Sequence, residues 1–315
     1  MAPTSLPVVA AGLLAVAVLA GCSLGGDEPA EEAATAPIPP IRTTPEPTDG
    51  PLPGRVVYHD VNGDLWTMLG DESGLHRLTM SGDGFDLDPA WSPDGELIVF
   101  RSTRDPSPSE GLLVTRRNGT GERVFASGGT FADWSPDGRN VVFSALGSAK
   151  ISIADREGGQ ARALGPSGEC SAWSPTGRLI AFCKMDGGNW NAWVMRPDGS
   201  GERRLTNDPG GEYPQGWSPD GKRVVLWNQG DGLSERLTLV QLDGSAPRPL
   251  TGLASQEESF GAWLPDGRIL VGIDHPGGRM KGWYLMSPGR ERRFVPVLPS
   301  LRRICCGEGQ LDWLP

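Results

Sequence analysis

The residues best placed to do chemistry are carboxylates that keep step with a tryptophan. Asp86, Glu169, Glu212, Glu258 and Glu308 each stand four or five residues before a Trp: Trp91, Trp173, Trp217, Trp263 and Trp313. A sixth such Trp, Trp134, has no carboxylate at that distance. If the repeating units close around one axis, these carboxylates ring one mouth of a central channel. An acidic funnel of that kind attracts a cation, an amine-bearing ligand or a basic peptide. The plainer role is local, with each carboxylate bonding neighbouring backbone where a strand begins. Asp83, Asp86 and Asp88 form a tighter acidic cluster, a candidate seat for calcium or another cation. No other cofactor is expected.

Little else in the chain spells out a reaction. It has no G-x-S-x-G nucleophile elbow, no phosphate-binding loop and no dinucleotide fingerprint. His59, His76 and His275 fall on separate units without metal-ligand spacing, and each reads as an exposed structural histidine. Asp60-Val61-Asn62-Gly63-Asp64 has the look of a calcium loop but lacks its closing acidic residue, so a hairpin turn is the better reading. Cys170 and Cys183 flank one hairpin turn at nearly equal distance, which lets them face each other and form a disulfide. A register change of one residue would put them on opposite faces. Cys305 and Cys306 are adjacent; a vicinal bridge, two free thiols and pairing elsewhere all stay open. The expectation is a non-catalytic binding or scaffold module. A polysaccharide-acting enzyme and a cation or small-ligand sensor are the competing readings.

The elements that must position these residues follow from a repeat. Trp91-Ser-Pro-Asp-Gly95 returns at Trp134, Trp173 (with Thr176 for Asp), Trp217 and Trp263 (with Leu264 for Ser), at spacings of 43, 39, 44 and 46 residues. One Trp and one tight turn every 40–50 residues is the signature of propeller blades. Each unit reads as four strands, the first ending at the Trp. Pro presets φ in the turn, Asp bonds back to the backbone and Gly takes a positive φ. The N-terminal unit begins at a second strand, Arg55–His59, and lacks a first one. The C-terminus supplies a spare, 310–313, ending at Trp313. The expected fold is all-β: a six-bladed β-propeller of four-stranded blades, closed when the C-terminal strand completes the N-terminal blade. Closure leaves no free sheet edge, so a monomer is the default. The motif Trp side chains read as packing between blades.

Composition agrees. The 45 Gly and 29 Pro in 315 residues argue against a helical bundle or coiled coil. A net charge of -10 speaks against nucleic acid.

The W-S-P-D-G turns, the apolar second strands and endings such as Arg203-Arg204-Leu205-Thr206 resemble the TolB-type, WD-like β-propeller repeats, over about residues 54–315. That resemblance implies blade-top loops and a channel mouth that contact a partner protein or peptide of the cell envelope. The N-terminus resembles a bacterial lipoprotein precursor. Residues 1–21 read as a signal peptide with an apolar run from Val8 to Ala20, ending in a lipobox, Leu19-Ala20-Gly21-Cys22. Cys22 would carry the lipid. Residues 22–53, rich in Pro, Ala, Glu and Thr, read as a disordered tether. The expected location is extracytoplasmic, held to the membrane through Cys22, with residues 54–315 as the folded part.

Overall fold

In the computed structural model the described residues are 54–104, 111–145, 148–207, 210–229, 236–250, 257–274, 281–286, 295–297 and 311–314. They contain six four-stranded antiparallel sheets and no helix. Each sheet is one blade of a six-bladed propeller. The innermost strands of blades 2 to 6 are Asp86–Trp91, Gly129–Trp134, Glu169–Trp173, Glu212–Trp217 and Glu257–Trp263. Blade 1 takes its innermost strand, Leu311–Leu314, from the other end of the chain, pairing Val56 with Trp313 and Tyr58 with Leu311. The ring is closed as the repeat predicts.

Six apolar clusters hold the ring, one between each pair of neighbouring blades. Between blades 2 and 3, Val99, Leu112 and Phe125 meet Trp134, Val141 and Phe143. Between blades 3 and 4, Val142, Ile151 and Leu164 meet Trp173, Ile180 and Phe182. Val141 thus faces one neighbour and Val142 the other. That is why the second strands carry consecutive apolar residues, such as Val141-Val142-Phe143 and Val224-Val225-Leu226: both faces of these strands are covered. The motif tryptophans Trp91, Trp134, Trp173, Trp217 and Trp263 are all buried in such seams. Burying each is worth about 2–3 kcal/mol in transfer terms.

The repeated turn works as its composition suggests. In blade 2 the Ser92 hydroxyl donates to the Asp94 carboxylate (2.6 Å) and accepts from the Leu97 amide (2.9 Å). Ser135 does the same with Asp137 and Asn140, and Ser218 with Asp220 and Arg223. Hydrogen bonds from these serines and from backbone amides hold Asp137 and Asp220 below the usual carboxylate range. Blade 4 substitutes Thr176, whose hydroxyl lies 3.2 Å from Ser174 Oγ.

The Arg-Leu-Thr endings are shorter as strands than the sequence implies, at Arg203–Arg204 and His76–Arg77. The cause is the threonine. Thr206 Oγ1 accepts the Ala192 amide (3.1 Å) in place of a backbone carbonyl, and Thr79 does so for Leu65 (3.0 Å). Arg204 and Arg77 then donate to the carbonyls of Thr206 and Thr79. Glycines in the outer turns let blades approach. A Cβ on Gly199, already at a φ of +87°, would stand 1.9 Å from the Leu164 carbonyl oxygen of the previous blade.

Two smaller expectations resolve here. Asp60 caps a hairpin turn, accepting the amides of Asn62 and Asp64 (2.9 and 3.1 Å) and the Trp66 indole N–H (3.1 Å). Its oxygens are therefore taken by protein donors. His59 and His76 share blade 1 and do not fall on separate units. His76 is exposed as expected, but His59 is buried, because it closes a second strand covered on both faces. His275 lies outside the described residues.

Candidate binding channel

The innermost strands of all six blades line a central cavity of about 740 Å³. At one end stand the turn prolines Pro93, Pro136, Pro175, Pro219 and Pro265. At the other the strands begin, and the wall there is Asp88, Phe131, Glu169, Cys170, Tyr213 and Trp227. The described lining residues include four carboxylates, Asp88, Asp133, Glu169 and Asp312, and no Lys, Arg or His.

Among the described residues the expected ring of carboxylates is broken. Asp86 and Glu212 are fully buried and do not line the channel. Both stand five residues before their Trp and turn into the blade. Asp86 meets Arg104 (2.8 Å), which also grips Glu122 (2.7 Å). Burial raises the Asp86 carboxyl despite that partner. Glu169 stands four residues before Trp173, at the register break of its strand, and lines the channel. Asp88 also reaches the wall, with Arg101 at 3.2 Å. The Glu258 side chain, Glu308, Cys22, Cys305 and Cys306 lie outside the described residues, as does residue 22 with the whole stretch 1–53. Among the described residues no three His, Cys, Asp or Glu side chains gather as metal ligands.

Two channel carboxylates escape the sequence reading. Asp133 and Asp312 immediately precede their Trp, where the other blades carry Ala90, Ala172, Gly216 and Ala262. Each reaches across to the next blade. Asp133 accepts the Trp173 amide (2.5 Å) and Asp312 the Trp91 amide (2.6 Å). Enclosure by protein, with a further push from the Asp312 charge, raises Asp133 to about 7. The available signal was the Asp-Trp pair itself, present in two repeats and absent from four.

The opposite mouth is irregular. The innermost strands of blades 2 to 6 each carry a break in register. Three residues before the Trp, Asp88, Phe131 and Cys170 adopt left-handed φ angles of 52°, 50° and 56°. Non-glycine residues rarely do so, and such strain gathers where side chains must be aimed. Here it falls on three wall residues in adjacent blades. Beside them Trp190, Tyr213 and Trp227 form a ledge, with ring centroids 6.4 and 5.3 Å apart. Burial pushes the Tyr213 phenol to about 12, helped by the nearby Cys183, Cys170 and Glu169. Burial also raises Glu169. Cys183 is fully buried and within hydrogen-bonding reach of Cys170; both are free thiols in this structure.

Six closed blades around a carboxylate-lined channel define a β-propeller. The sequence model of the TolB β-propeller domain matches residues 112–267. Residues 112–267 thus carry a TolB-type propeller domain within the six-bladed ring. It is 39% identical over 82 residues to the Tol-Pal system protein TolB of Rhizorhabdus wittichii, covering 25% of this chain and 18% of that one. It is 26% identical over 229 residues to an uncharacterised protein of Agrobacterium fabrum, covering 64% and 78%. Among solved structures, TolB from Acinetobacter baumannii superposes with a TM-score of 0.66 at 20% identity, over 84% of this chain and 68% of that one. A chain of a nidogen/laminin complex reaches 0.61 at 11% identity, over 82% and 97%. Likeness at such identities speaks for the fold alone.

Proposed function

We propose that this protein is a non-catalytic binding module of the cell envelope, whose channel receives a basic segment of a partner protein. One observation carries the reading: four carboxylates and no cationic side chain among the described lining residues. A positive group entering the channel meets Asp133, Asp312 and Glu169. A flat guanidinium can also stack on the Trp190–Tyr213–Trp227 ledge, where cation–π contact adds about 0.5–2 kcal/mol. The likeness to a Tol-Pal system protein supports an envelope role. In this reading residues 1–21 direct export, Cys22 carries the lipid, residues 22–53 form the tether and the propeller works as a monomer.

Titration of the propeller with an arginine-rich synthetic peptide tests the channel. Binding is expected for that peptide, absent for a glutamate-rich one, and weaker as salt rises. Loss of affinity in Glu169→Gln and Asp312→Asn places the site in the channel. Equal binding of both peptides would overturn the reading. Anchoring is checked by fractionation: the full precursor should pellet with membranes and Cys22→Ala should not.

A further inference from the structure

The corner where Glu169, Cys170, Cys183 and Tyr213 meet holds two sulfur atoms that the binding reading does not use. Cys183 sits on the second strand of blade 4 with its Cα opposite Glu169. Its sulfur faces the innermost strand, taking a hydrogen bond from the Glu169 amide and giving one to Cys170. The approach is tight. A Cβ on Gly168 would stand 2.7 Å from both the Cys183 carbonyl oxygen and the Phe182 ring. Cys170 adds the left-handed φ of 56° at the register break, which turns its side chain off the plain alternation of the strand. Cys170 lines the channel, whereas Cys183 is fully buried behind it.

We propose that Cys170 and Cys183 form a disulfide that staples the rim of the channel. The strained bulge that aims Glu169 is then held covalently, where blades 2 and 3 hold theirs by packing and, at Asp88, by an ion pair. The accessibilities set the order of events. The Cys170 thiolate attacks an external disulfide, forming a mixed disulfide and releasing one thiol. The Cys183 thiolate, its proton lost to solvent, then attacks the Cys170 sulfur and expels the second thiol. One disulfide forms in the protein while one external disulfide is reduced to two thiols. Burial and the hydrogen bond to Cys170 raise Cys183 well above its ordinary value, so the closing step quickens with rising pH.

Oxidised glutathione is the probe, applied to the folded full chain, with peptide mapping under non-reducing conditions. The expected product joins the Cys170 and Cys183 peptides and lacks two hydrogens. Cys183→Ser should take one glutathione at Cys170, and Cys170→Ser should leave Cys183 unmodified while folded. Oxidised wild type should melt about 5 °C above the reduced form, a difference absent from the double serine variant. Persistence of both thiols under excess oxidant would overturn the staple. So would separate glutathione adducts on the two sulfurs, bridges from either to Cys305 or Cys306, or a melting temperature indifferent to oxidation.

Discussion

The two ends of the channel are built from the same innermost strands and obey different rules. At the turn end nearly everything repeats: Pro, Asp and Gly return blade after blade, and their hydrogen bonds return with them. At the opposite mouth little repeats. Asp88, Phe131 and Cys170 share one backbone conformation and three different chemistries. Repetition marks what every blade needs in order to fold. In the proposed binding role, departure from it marks what one place in the ring needs in order to bind.

That contrast can be broken from the turn end first. Gly199→Ala drives a methyl group into the Leu164 carbonyl of the previous blade. A loss of about 2–4 kcal/mol is expected in denaturant melts. Peptide affinity of the molecules that still fold should not change. The channel floor comes next. Between the ordinary carboxylate pKa and about 7, folded Asp133 keeps a proton that the unfolded chain has lost. Stability should therefore fall as pH rises through that window. In Asp133→Asn the fall should vanish, leaving the variant on the order of 2 kcal/mol more stable than wild type at pH 8. Urea melts at pH 5 and pH 8 read this directly.

Ser135→Ala removes a hydroxyl that serves both Asp137 and the Asn140 amide. About 1 kcal/mol should be lost, again without effect on binding. At the mouth the order reverses. Glu169→Gln should change stability by less than about 0.5 kcal/mol. It should nonetheless weaken the arginine-rich peptide several-fold. A mouth substitution that harms folding more than binding would erase the distinction between the two ends.

The fold was legible because its signals are local. Trp-Ser-Pro-Asp-Gly states a turn, a seam residue and a period in five letters. The divided terminal blade shows in the missing first strand before Arg55 and the spare one at Trp313. The site was only half legible, because which residues face the channel depends on the register break in each innermost strand. Asp86 and Glu169 look equivalent by their distance from Trp, yet one is buried in its blade and the other lines the channel. The register breaks that aim Asp88, Phe131 and Cys170 have no common residue type to announce them. Asp133 and Asp312 were visible as letters, but only the blade-to-blade contact with the next Trp amide shows what they do.

The central claim is that the channel carboxylates bind a positive charge. It is tested most directly by the affinity of the arginine-rich peptide as a function of pH. Arginine does not titrate in this range, and with the peptide's amine acetylated any change belongs to the protein. Affinity should rise several-fold between pH 6 and pH 8, with its midpoint near the Asp133 value of about 7, and should stay flat in Asp133→Asn. An affinity independent of pH in the wild type, or a rise that survives in Asp133→Asn, would contradict it.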